Sequence, residues 1–78
     1  MKVLARSPGQ YPILIVETPD GDLLATHFET GYALGRGKPV ERSWVRENAI
    51  GRHSFIGVEP PEEVAVSELG NYATEARF

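Results

Sequence analysis

Ile13-Leu14-Ile15-Val16-Glu17-Thr18-Pro19-Asp20-Gly21-Asp22-Leu23-Leu24-Ala25-Thr26-His27-Phe28 reads as a β-hairpin. Its first half is rich in β-branched residues, and its middle is turn chemistry. Pro19 presets φ for the second position of a type I turn and Asp20 suits the third. Gly21 supplies the left-handed residue that closes a hairpin with a G1 bulge. This turn puts Thr18 opposite Asp22. Val16 then faces Leu24 and Leu14 faces Thr26 on one side, while Ile15 faces Ala25 and Ile13 faces His27 on the other. Both sides carry apolar groups, so the strands are expected to be central in a sheet, or covered on both sides. In a short chain that points to a strongly curved sheet or half-barrel, or to a face buried in a homo-oligomer.

Working outward, Lys2-Val3-Leu4-Ala5-Arg6 is a plausible first strand, ended by Ser7-Pro8-Gly9. After the hairpin, residues 29–39 hold three glycines and a proline and read as a loop or a glycine-bent strand. The segment 40–48 fits either regular structure. As a strand it sets Val40, Arg42, Trp44 and Arg46 on one side; as a helix it stacks Val40 on Trp44 and Arg42 near Arg46. The reading adopted is strand. His53 to Glu59 reads as a further strand stopped by Pro60-Pro61. Pro61, Glu62 and Glu63 have the chemistry of a helix start, because the positive end of the helix dipole favours carboxylates. A short helix over Glu62 to Leu69, closed by Gly70, is expected, with a strand as its competitor. The predicted fold is mostly β: a single domain over residues 1–78, with four or five antiparallel strands in a strongly curved sheet or SH3-like half-barrel, and a short C-terminal helix.

Composition sets limits on function. The chain of 78 residues, 41% of them hydrophobic, has room for one core. It has no cysteine, which removes disulfides, thiolate nucleophiles and zinc–thiolate sites. The first apolar run, Val3 to Ala5, is too short for a signal peptide, and Pro12 to Val16 is far too short to span a bilayer. The expectation is a cytoplasmic protein with no membrane partner.

Net charge is −3, unevenly distributed. Residues 1–35 sum to −2, residues 36–53 to +3 and residues 54–78 to −4. The basic middle holds Arg36, Lys38, Arg42, Arg46 and Arg52, and the acidic tail holds Glu59, Glu62, Glu63, Glu68 and Glu75. Such blocks either pair internally on the surface or present a patch to a charged partner.

Nothing in the chain has the spacing of a catalytic constellation. His53-Ser54 would point to opposite faces of a strand. Gly31, Gly35 and Gly37 lack the Lys-Ser/Thr of a phosphate-binding loop. His27, Glu29, Asp20 and Asp22 are the nearest approach to a metal cluster, and Asp20-Gly21-Asp22 is too short for a calcium loop. The chain is therefore read as a non-enzyme without cofactor or metal.

The one site-like feature is Arg42, Trp44 and Arg46, which on a strand would interleave cations with a ring as surfaces for single-stranded nucleic acid do. The same types are enriched at protein hot spots, and a lone Trp also serves as a core anchor. Ile13 to Leu34 followed by Arg52-His53-Ser54-Phe55-Ile56-Gly57-Val58-Glu59-Pro60-Pro61 resembles the two motifs of Sm-like RNA-binding proteins, which are curved five-stranded barrels that assemble as rings. The Asp-x-x-x-Asn signature of the first motif is missing, and the Gly of the second follows different residues. The resemblance implies a small barrel shape and transfers no functional residue.

The expected function is a small protein-binding module: an inhibitor, adaptor or assembly subunit of a larger protein. Its expected partner surface comprises Arg36, Lys38, Arg42, Trp44, Arg46, Arg52, Glu62, Glu63 and Glu68. The acidic tail, in this reading, mimics or displaces nucleic acid on a basic partner. The alternative is nucleic-acid binding through the basic segment 36–53.

Overall fold

The computed structural model describes residues 1–10, 12–28 and 34–64. Its elements run β1 (Lys2–Arg6), β2 (Ile13–Glu17), β3 (Leu23–Phe28), β4 (Leu34–Val40), α1 (Arg42–Ile50) and β5 (Ile56–Glu63). They form one antiparallel sheet in the order β4-β3-β2-β1-β5.

The β2–β3 hairpin has the register that its turn residues dictate, with Val16 opposite Leu24 and Ile15 opposite Ala25. The Gly21 amide donates to the Thr18 carbonyl at 2.9 Å, and the Thr18 amide donates to the Asp22 carbonyl at 2.8 Å. Gly21 takes φ +87°, the left-handed conformation that closes the bulge. The Thr18 hydroxyl accepts from the Asp22 amide at 3.1 Å, tying the turn across its base.

The two-sided apolar character of β2 has the cause expected of it. This strand is the third of five, and Ile13 to Val16 are all buried. Val3, Leu14, Val16 and Leu24 form a cluster on one side, joined by Met1, Val58 and Val64. Ile13, Ile15, Leu23 and Ala25 form the other, covered by Val40, Trp44, Val45 and Phe55. A bulge between Val3 and Ala5 shifts the register of β1 against both neighbours. Leu4 and Ala5 consequently both pack toward the helix-covered side.

Of the strand expected over 40–48 only Val40 is strand, as the last residue of β4, and residues 42–48 belong instead to α1. From the pairings, β4 and β5 run in the same direction at opposite edges of the sheet. A chain leaving β4 must therefore cross the face before it can pair with β1, and a helix is the usual crossover element. Four strand spacings amount to about 19 Å, much of which a nine-residue helix covers at about 1.5 Å per residue. Trp44, Val45, Asn48 and Ala49 are half-buried at helical spacing, and Arg42, Ser43, Arg46, Glu47 and Ile50 are exposed.

The helix start expected at Pro61 is also corrected. Pro60, Pro61, Glu62 and Glu63 all belong to β5, and the Glu59–Pro60 bond is cis. An edge strand tolerates proline because its outward positions need no ladder hydrogen bond. The pairing of β5 with β1 is interrupted where the prolines lie: Ala5 pairs with Gly57, and Val3 next pairs with Glu62. The rest of that expected helix, from residue 65, lies outside the described residues.

The expected half-barrel is not formed. Among the described residues β4 and β5 are the two edges of the sheet, which is open and not strongly curled. Closure is replaced by coverage, with α1 laid over one face. The glycine-rich segment supplies a full strand from Leu34, and residues 29–33 lie outside the described residues.

Candidate functional site

Helix α1 carries three of the nine candidate residues, Arg42, Trp44 and Arg46, and helical geometry sorts them. Arg42 and Arg46, one turn apart, are exposed on the outer face. Continuing that row by one more turn reaches Ile50, which is 92% exposed. The outer ridge of α1 is thus Arg42, Arg46 and Ile50, flanked by Ser43 and Glu47. Ile50 escaped the sequence reading because the ambiguous segment was ended at Asn48; continuing the helical spacing from Arg42 would have found it.

Trp44 is not part of this ridge. It is half-buried and packs on the cluster of Ile13, Ile15, Leu23 and Ala25. Its ring centroid lies 6.0 Å from that of Phe55 and 6.2 Å from that of His53, and those two rings are 5.7 Å apart. The backbone after α1 produces this cluster. The Asn48 carbonyl accepts from the amides of His53 at 3.1 Å and Ser54 at 2.9 Å, and Ser54 adopts φ +50°. That turn brings the chain back toward Trp44. The Asn48 side-chain amide donates to the Trp44 carbonyl at 2.8 Å, holding the last turn of the helix. The strand-like row of Arg42, Trp44 and Arg46 therefore does not exist: the cations point outward and the ring inward.

The remaining candidates are dispersed. Lys38 is exposed on β4 opposite Ala25, and Arg52 is exposed in the turn after α1. Arg36 lies within β4. Glu62 and Glu63 are exposed on β5 at the far edge of the sheet. Glu63 lies 3.8 Å from the Met1 ammonium, and that ammonium also donates to the Val64 carbonyl at 3.1 Å. Glu68 lies outside the described residues.

An open cleft of about 810 Å³ separates the β2–β3 turn from the first half of α1. Asp20, Asp22, Glu41, Arg42 and Arg46 line it. Among the described residues no ion pair joins these carboxylates to these guanidiniums. The described residues contain no group of three or more His, Asp or Glu placed to hold a metal ion. No described helix is long and apolar enough to cross a membrane.

No protein-family model, curated protein or solved structure matches the chain.

Proposed function

We propose that the chain is a non-enzymatic protein-binding module that acts as an inhibitor, adaptor or assembly subunit, with the outer ridge of α1 as its docking surface. The observation that carries this reading is Ile50, a large apolar side chain 92% exposed in line with Arg42 and Arg46. Burying such a side chain contributes about 1.5–3 kcal/mol to an association. Arginine beside it is a type enriched where binding energy concentrates. An inward Trp44 supports the fold and leaves the ridge to these three residues.

Nucleic-acid binding through segment 36–53 is the second reading, favoured by exposed Lys38, Arg42, Arg46 and Arg52. It has lost its stacking ring to the core, which leaves phosphate contacts as its source of affinity.

The test is affinity capture from host lysate with and without nuclease, comparing the native chain with a variant carrying Arg42→Ala, Arg46→Ala and Ile50→Ala. A stoichiometric protein that survives nuclease and is lost with the variant is the expected result. Loss of every bound species on nuclease treatment would transfer the function to the second reading. A protein retained equally by both chains would remove α1 as the docking surface.

A further inference from the structure

We propose that the face of the sheet turned away from α1 is an internal docking site whose occupant is the segment 65–78 of the same chain, laid across it as a strap. This face is distinct from the α1 ridge, and its cover does not depend on what α1 binds. Register fixes which residues form it. Val3 is opposite Val16 and Val16 is opposite Leu24, and directly opposed residues share a side of the sheet. Leu14 belongs to the same cluster and is opposite Thr26. Helix α1 packs on the other side, over Ile13, Ile15, Leu23 and Ala25.

The two sides are buried to the same depth. Val16 is 0% exposed and Leu24 3%, against 2% for Ile15 and 0% for Ala25 beneath the helix. An apolar sheet face is shielded in this way by a second layer packed on it. Among the described residues that layer is missing, since the elements are five strands and α1. Met1, Val58 and Val64 pack on the cluster only from its β1–β5 margin. The course of the chain selects the cover. Residues 29–33 begin and end beside the paired Phe28 and Leu34, at the end of β3 remote from Leu24. Tyr11 precedes β2 at its end remote from Val16. The segment 65–78 instead follows Val64, which packs on the cluster itself. The Val64 amide donates to the Met1 carbonyl at 2.9 Å, beside the row of Val3, Val16 and Leu24. From β5 to β3 is three strand spacings, about 14 Å. Residues 65–78 reach farther than that even at the about 1.5 Å per residue of a helix. They bring Val66, Leu69, Tyr72 and Phe78, the apolar groups such a face requires. Displacing the segment uncovers Val3, Leu14, Val16 and Leu24 together, a contiguous apolar patch of the kind that drives association.

Nuclear Overhauser spectroscopy of the isotope-labelled full chain tests this. The expected result is a set of cross-peaks from Leu69, Tyr72 or Phe78 to the methyl groups of Val16 and Leu24, unchanged on dilution and present within one chain. Leu69→Ser with Tyr72→Ser should remove them, increase binding of a hydrophobic dye and raise the unfolding equilibrium constant about 5–30-fold. If that variant does not fold, the cross-peaks of the native chain decide alone. The proposal is overturned by a native chain in which no proton of 65–78 contacts these methyl groups, or in which Tyr11 or Tyr32 contacts them instead. Cross-peaks that arise only between labelled and unlabelled chains would give the face to a second copy and equally reject the strap. A folded double variant with native dye binding and stability would do the same.

Discussion

Ser7 and Ile13 are joined in both directions: the Ser7 amide donates to the Ile13 carbonyl at 2.9 Å, and the Ser7 hydroxyl accepts from the Ile13 amide at 2.7 Å. Both residues are buried, and together they close the connection between β1 and β2. Ser7→Ala leaves the Ile13 amide without its acceptor in a site that excludes water. A loss of about 1–3 kcal/mol is expected, read as a lower urea midpoint with an unchanged slope.

Gly21 separates backbone cost from steric cost. A Cβ built there meets nothing within 4 Å, so Gly21→Ala introduces no clash and acts through φ +87° alone. The expected destabilisation is about 1–2 kcal/mol. Gly21→Asn should lose less, since asparagine tolerates the left-handed region. Thermal melts of the three chains side by side give the order; an alanine variant as stable as the native chain would mean that the turn relaxes to another type.

Asn48→Asp replaces the donor that faces the Trp44 carbonyl with an acceptor, and puts negative charge in the last turn of α1, where the helix dipole opposes it. A loss on the order of 1–2 kcal/mol is expected at neutral pH. The anion is disfavoured in the folded state, so its folded pKa is raised and the unfolded chain keeps the ordinary value. The penalty is therefore full at neutral pH and fades as the pH falls toward about 4. Urea midpoints relative to the native chain at pH 7 and pH 4 measure the difference.

Trp44 and its arginine neighbours should separate in stability. Trp44→Ala removes a ring that packs on the helix-covered cluster, with a cost toward the lower end of the about 3–5 kcal/mol seen for buried aromatics. Arg42→Ala and Arg46→Ala remove exposed side chains and should each change stability by no more than about 0.5 kcal/mol. Equilibrium unfolding followed by far-UV circular dichroism reads all three. Equal losses at Trp44 and at the arginines would place the guanidiniums in the folding core and weaken their assignment to a docking ridge.

The hairpin was legible residue by residue, because its determinants are local: one Pro, one Asp and one Gly at set positions between apolar runs. The candidate site was only half legible. Arg42, Arg46 and Trp44 were recognisable as the types that interfaces use, but a period of two and a period of 3.6 sort them differently. The strand reading joined the ring to the cations, and the helix separated them.

From sequence alone came the β2–β3 register, the first strand, the central two-sided character of β2 and the charge asymmetry, all set by neighbours a few residues apart. Tertiary structure decided that 42–50 is a helix and that Pro60 and Pro61 lie within a strand. A chain at the β4 edge has to cross the sheet to reach β1, and an edge strand has outward positions where proline costs no hydrogen bond. Helix α1 and β5 are shaped by the far edge of the sheet, which no local pattern of side chains encodes.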